Sequence, residues 1–273
     1  MKINQYLKQC KAQGKAVLAT NFYNLETLQG ILQAAKITGL PVILQLTRSS
    51  IEYMGLDLAC QMARTGLNSY GVTGWLHLDH GDSFALAEQC ILNGFDSVMI
   101  DGSELPLEEN ISLTKKVVAL ASQHHVAVEA ELGFVAKLGQ DASRKKFTQP
   151  EEALYFAKET NVDALAVAVG SAHGFYKEKP ELRFDLIRKI SKATNLPLVL
   201  HGSSGISHPD IQKAIANGIC KINLATEIKD LFMSSLKNAL KDSDEIDLRK
   251  VFPKATSRVT ELITEKLKLV NSQ

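Results

Sequence analysis

Short apolar runs recur along the chain, each followed by a longer stretch whose apolar residues return every three or four positions. Eight runs read as strands, over 16–20, 41–46, 75–79, 96–100, 125–131, 163–169, 197–201 and 219–223. β-Branched residues are common in them, as in strands buried on both faces. The stretches between predict helices over 25–38, 83–93, 110–123, 150–159, 183–193 and 208–217. Asn110 ahead of Ile-Ser-Leu-Thr reads as a helix cap, and Thr148-Gln149-Pro150-Glu151-Glu152 puts a proline and two acids into a first turn. Gly39, Gly94 and Gly218 stand where helices should stop. A polar break over 241–254 precedes a last helix over 256–269.

Strand–helix alternation repeated eight times implies a closed parallel (β/α)8 barrel, a single α/β domain over 1–273. The alternative is a doubly wound open sheet. No Gly-x-Gly-x-x-Gly follows a strand, which counts against a nucleotide-binding version of it. Residues 133–149 are polar, lack apolar periodicity and follow a strand. They read as a long mobile loop of the kind that carries function.

Composition narrows the partners. Lys and Arg number 31 against 30 Asp and Glu, a net charge of +1, so there is no electrostatic footprint for nucleic acid or an anionic membrane. No stretch approaches the ~20 apolar residues of a membrane helix. The opening Met1-Lys2-Ile3-Asn4-Gln5 is polar, unlike a secretory leader. The four cysteines, Cys10, Cys60, Cys90 and Cys220, form no Cys-x-x-Cys and read as reduced thiols. A cytoplasmic protein acting on a small molecule is expected.

Barrel enzymes place their chemistry where strands end. Here those ends carry Asn21, Thr47, Asp79-His80-Gly81, Asp101-Gly102-Ser103, Glu131, His173-Gly174, His201-Gly202-Ser203-Ser204-Gly205 and Asn223 with Ala225-Thr226. Three histidines with an open fourth position suit a catalytic zinc ion, which polarises carbonyls. Packed, hydrogen-bonded histidines are the other reading of the same residues. The glycine-rich turns after strands 6 to 8 suit either a phosphate or tight turns alone.

The motifs themselves are more specific. His77-Leu78-Asp79-His80-Gly81, Ser97-Val98-Met99-Ile100-Asp101-Gly102-Ser103, Val128-Glu129-Ala130-Glu131-Leu132-Gly133, His173-Gly174-Phe175-Tyr176-Lys177, Leu200-His201-Gly202-Ser203-Ser204-Gly205 and Gly218-Ile219-Cys220-Lys221-Ile222-Asn223 resemble, in order and over nearly the whole chain, the class II fructose- and tagatose-bisphosphate aldolases. The resemblance implies Zn²⁺ held by His80, His173 and His201, with Asp101 and Glu131 at an alternative metal position or orienting the ligands. It implies that Asp79 exchanges a proton with the substrate C4 hydroxyl. Gly174, Gly202, Ser203, Ser204, Asn223, Ala225 and Thr226 match the site for dihydroxyacetone phosphate, with Asn24 and Lys177 as further substrate contacts. A monovalent cation (Na⁺ or K⁺) near the phosphate, a homodimer or homotetramer and a non-catalytic partner subunit are also family features.

Gly218–Asn223 and the following Leu-Ala-Thr-Glu-Ile-Lys are closest to tagatose-type members, and Ser257 stands where fructose-type members carry an aspartate. Arg258 beside it is either a distal-phosphate contact or a solvated helix arginine. The chain departs from the family after Glu-Leu-Gly. The usual glycine pair is missing, no glutamate follows, and Asp141 is the nearest acid to replace one. Thr47 replaces a serine, and Arg48-Ser49-Ser50 departs from the usual small or acidic residues. His77 is expected in the core, His124 and His125 on the stability face of the barrel, and His208 in a solvated first turn.

Overall fold

Each apolar run forms a strand within a residue or two of its expected limits. The strands are β1 (Val17–Asn21), β2 (Val42–Leu46), β3 (Gly74–Gly81), β4 (Ser97–Ile100), β5 (Ala127–Leu132), β6 (Ala164–Val167), β7 (Leu198–Leu200) and β8 (Ile219–Leu224). In the computed structural model they are joined in sequence order, all parallel, and β8 pairs with β1 to close the barrel. The structure describes residues 1–133, 147–176, 180–241 and 243–272. The expected loop thus lies mostly outside the described residues, as do Asp141 and Lys177.

Helices α2 (Leu25–Thr38), α5 (Phe84–Leu92), α6 (Leu107–Gln123), α7 (Pro150–Thr160), α8 (Phe184–Thr194) and α9 (His208–Ala216) fill the expected stretches, and α10 (Thr226–Leu240) follows β8. Alternate strand residues such as Leu18, Leu44, Leu76, Val98 and Leu165 face outward into the helix layer. A separate apolar cluster inside the barrel joins Val17, Ile43, Trp75 and Val199 to Ile3, Leu7 and Cys10 of α1 (Ile3–Gln13). That first helix, and the pair α3 (Arg48–Met54) and α4 (Leu56–Tyr70), were not anticipated from the pattern.

Two helix boundaries differ from expectation. Helix α6 starts at Leu107, after Pro106 and with Glu108 and Glu109 in its first turn. Asn110 is therefore inside the helix and buried, where its Nδ2 donates to the Glu131 carbonyl at 3.0 Å rather than capping. Helix α11 (Leu248–Asn271) starts at Leu248, capped by Asp247, and contains Pro253. Its buried Val251, Ala255, Val259, Ile263 and Leu267 recur every fourth residue and draw the helix through the proline. It packs closely on α2, where a Cβ on Gly30 would meet Val259.

The interior changes character along the strands. Above the apolar plug lie buried Gln45, His77, Ser97, Glu129 and Lys221, and above these Asn21, Asp79, Glu131 and Asn223 at the mouth. Residues two apart on a strand face the same side, so 77 and 79, 129 and 131, and 221 and 223 stack in successive layers. Among the described residues, no helix is long and apolar enough to cross a membrane.

Candidate metal centre and active site

Adjacent strand residues normally face opposite sides, yet Asp79 and His80 both reach the mouth. The register between β3 and β4 slips between Leu78 and Gly81, and His80 has φ +50°. A bulge with a left-handed residue turns the second side chain inward, a costly conformation that is concentrated at functional sites.

His80 meets His173 and His201, with ring centroids 4.8 and 4.6 Å away. One ligand atom from each of the three lies within 4.8 Å of the others, and a second such grouping joins His80 to Asp101 and Glu131. The hydrogen bonds determine which nitrogens face inward. His80 Nδ1 lies 2.9 Å from Asp101 Oδ2 and 3.9 Å from Glu131 Oε2. His201 Nε2 lies 3.0 Å from Glu129 Oε1. An ionised carboxylate only accepts, so both ring nitrogens carry protons. What remains is His80 Nε2, 2.9 Å from His201 Nδ1.

Two lone pairs repel at that separation unless a cation joins them. In the metal-free protein the cation is a proton. Burial opposes charge on His80, but Asp79, Asp101 and Glu131 outweigh it and raise its pKa to about 9. Burial and then the His80 charge hold His201 neutral, well below its ordinary pKa. With His173 beside them, the converging nitrogens and the carboxylates on their far sides fit a divalent metal such as zinc.

Asp79 is buried beside this centre. Its Oδ2 accepts from Asn21 Nδ2 at 2.9 Å and its Oδ1 from Asn223 Nδ2 at 3.3 Å. Burial alone would raise its pKa, but the charges on His80 and Lys221 and the Asn21 hydrogen bond pull it below the usual carboxylate value. The Oδ1 atoms of Asn21 and Asn223 are buried and have no hydrogen-bond partner among the described residues, which leaves two acceptors for hydroxyl groups.

The cleft over the histidines is also lined by Gly174, Gly202, Ser204, Ala225 and Thr226. Helix α10 begins there with no cap from Ala225; Glu227 N donates to Ser204 Oγ at 3.3 Å, so Ser204 and the helix start face the cleft together, where a helix N-terminus favours an anion. Gly202 has φ +66°, and a Cβ on it would press on the Ala172 carbonyl. Tyr176 ties the two turns together, its hydroxyl accepting from Ala172 N at 2.8 Å and donating to the Gly202 carbonyl at 2.7 Å.

Other expected residues lie elsewhere. Asn24 caps α2, its Oδ1 accepting from Thr27 N at 2.9 Å. Ser203 is buried and donates to the Asn223 carbonyl at 2.6 Å, away from the cleft lining. Ser257 lines a groove between α2 and α11 outside the barrel, and Arg258 pairs with Glu261 on the exposed face. Sequence reasoning assigned no role in the site to Asn21, Glu129, Lys221 or Tyr176. Charged Lys221 and Glu129 inside otherwise apolar strands, in phase with Asn223 and Glu131, were the available signal.

Comparison with known proteins agrees with this geometry. The solved YdjI aldolase from Escherichia coli K12 is 32% identical, with a TM-score of 0.88 over 99% of this chain and 97% of that one. A Coccidioides immitis protein provisionally described as a fructose-1,6-biphosphate aldolase is 25% identical, with a TM-score of 0.90 over 99% and 96%. The fructose-bisphosphate aldolase of Campylobacter jejuni, at 23% identity over 98% and 94% of the two chains, shares the fold with a TM-score of 0.83. The sequence model of the family described as fructose-bisphosphate aldolase class-II matches residues 1–273, and the chain belongs to that family.

Proposed function

We propose that this protein is a metal-dependent aldolase that cleaves a ketose 1,6-bisphosphate to dihydroxyacetone phosphate and glyceraldehyde 3-phosphate. The observation that carries the proposal is the convergence of His80, His173 and His201 beside an ionised, buried Asp79. Zn²⁺ held by the three histidines would supply Lewis acidity at the substrate ketone. Asp79 takes the proton of the C4 hydroxyl, and the electrons of that O–H bond form the aldehyde carbonyl as the C3–C4 bond breaks. The bonding pair moves toward C2 and leaves the three-carbon fragment as an enediolate. Asn21 and Asn223 aim their amide protons at Asp79 and keep it in the basic form. Gly174, Gly202, Ser204, Ala225 and Thr226 would hold the phosphate of that fragment. Asp101 and Glu131 orient His80.

Tagatose bisphosphate is favoured over fructose bisphosphate by the resemblance of the Gly218–Asn223 segment and the residues after it to tagatose-type members. A second reading, another phosphorylated ketose or keto-sugar acid, is favoured by Arg48, which stands at the rim paired with Asp82 and Ser83 just beyond β3. A monovalent cation near the phosphate, a homodimer or homotetramer and a non-catalytic partner subunit belong to the same proposal. Cleavage assays on tagatose and fructose bisphosphates, run side by side on zinc-loaded protein, test it. The expected result is dihydroxyacetone phosphate from both, faster from tagatose bisphosphate. Production from neither would reject the assigned substrate class.

A further inference from the structure

Beneath the histidine cluster lies a second group of side chains that the cleavage step does not use. Lys221 on β8 is fully buried, and Glu129, His77 and Ser97 are each no more than 3% exposed. Lys221 Nζ lies 2.7 Å from Glu129 Oε2 and 3.1 Å from His77 Nε2. His77 Nδ1 lies 2.7 Å from Ser97 Oγ. A buried ion pair is seldom a net gain in stability over apolar residues of similar size. Its presence in the barrel interior directly beneath the histidines calls for another role.

The donors and acceptors assign one. Lysine donates only, so His77 Nε2 accepts, and the ring's one proton sits on Nδ1, pointing at Ser97. Burial and then Lys221 keep His77 neutral, which agrees with that tautomer. Glu129 is thereby held by Lys221 through one oxygen and presents the other to His201 Nε2 at 3.0 Å. We infer that Glu129, anchored by Lys221, is a positioning residue that fixes His201 with Nε2 protonated and Nδ1 turned toward the metal. Asp101 does the same for His80 from the opposite side, but at the mouth and with Ser103 as its anchor. The Glu129–Lys221 pair acts from below, where water does not compete. Lys221 is a lysine inside an aldolase barrel, yet its Nζ is occupied by Glu129 and His77 beneath the ligands and is not presented to substrate.

This inference rests on the metal centre proposed above, and Co²⁺ as a probe separates the two. Failure of the native protein to take up one Co²⁺ would remove the metal centre and this role together. With Co²⁺ bound, the pair Glu129→Leu with Lys221→Met removes both buried charges and the acceptor. It is expected to weaken binding by roughly 10–100-fold, as for other residues that orient metal ligands, and to shift the visible d–d bands. Glu129→Gln with Lys221→Met keeps an acceptor for His201 and is expected to recover most of both. Native Co²⁺ affinity and native bands in a folded Glu129→Leu, Lys221→Met protein would overturn the role. A measurement that needs neither pair to fold is ¹⁵N NMR of the zinc-loaded native protein, with His201 assigned from a His201→Ala spectrum. A protonated Nε2 on His201 is expected. A protonated Nδ1 would overturn the assignment.

Discussion

Asp79 Oδ2 sits 2.9 Å from Asn21 Nδ2, and the contact joins the first strand of the barrel to the third across its mouth. An amide that donates to a carboxylate stabilises the ionised form. Asn21 thereby supports the general base without touching the metal ligands. Replacing Asp79 by alanine is expected to leave zinc stoichiometry unchanged and to lower kcat by roughly 10²–10⁴-fold, the range for general acid–base help. Metal analysis and steady-state rates on the same preparation check this. Turnover at the native rate would remove Asp79 from its role.

Removal of the metal should abolish cleavage, and zinc should restore it. Borohydride added with substrate should leave the activity intact, because Lys221, the lysine within the barrel strands, is buried and engaged by Glu129 and His77. Mass spectrometry after reduction gives the readout. A reduced substrate adduct on any lysine would indicate an iminium route in place of a metal.

The fold was legible because eight apolar runs recur along the chain with helix-period stretches after most of them; only the segment between β2 and β3 and the stretch after β8 gave no helix reading. Asp79, His80 and His201 stand at strand ends and His173 in the turn after β6, but that placement left a metal site and packed histidines both open, and the assignment came from the family resemblance of the motifs around them. What sequence reasoning did not reach depends on contacts between elements distant in sequence. Asn110 looks like a cap locally, but Pro106 and two acids start the helix a turn earlier, and the amide then serves Glu131. The polar segment 241–254 reads as a break, yet the fourth-residue apolar stripe of α11 carries the helix back to Leu248 through Pro253. Glu129 and Lys221 are 92 residues apart and become a pair only when the barrel closes. The family resemblance implies a substrate contact for Asn24, whereas its side chain is taken up in capping α2.

Metal binding should be linked to pH through His80. In the metal-free protein its pKa is raised from 6.5 to about 9. The charged form therefore stabilises the metal-free fold fully below pH 6.5, and that contribution is lost as pH rises through about 9. Zinc must displace the proton, so apparent affinity should rise about tenfold per pH unit between pH 7 and 9, with about one proton released. Chelator competition and proton-release titration measure both. Affinity that is flat across this range would contradict the pairing of His80 Nε2 with His201 Nδ1.

Gly202→Ala places a side chain at φ +66° against the Ala172 carbonyl. A strained position of this kind costs on the order of 1–3 kcal/mol. The turn held by Tyr176 should shift, weakening the phosphate cradle more than the metal centre. KM for the phosphorylated substrate is expected to rise at least several-fold, with zinc content unchanged. A native KM would show that this turn does not contact the phosphate.

The most direct test of the metal centre is X-ray absorption at the zinc edge on protein loaded with one equivalent of Zn²⁺. The prediction is three imidazole nitrogens at about 2.0–2.1 Å, with the histidine scattering reduced in a His173→Ala protein. A spectrum without imidazole scattering, or a protein that does not retain zinc, would contradict it.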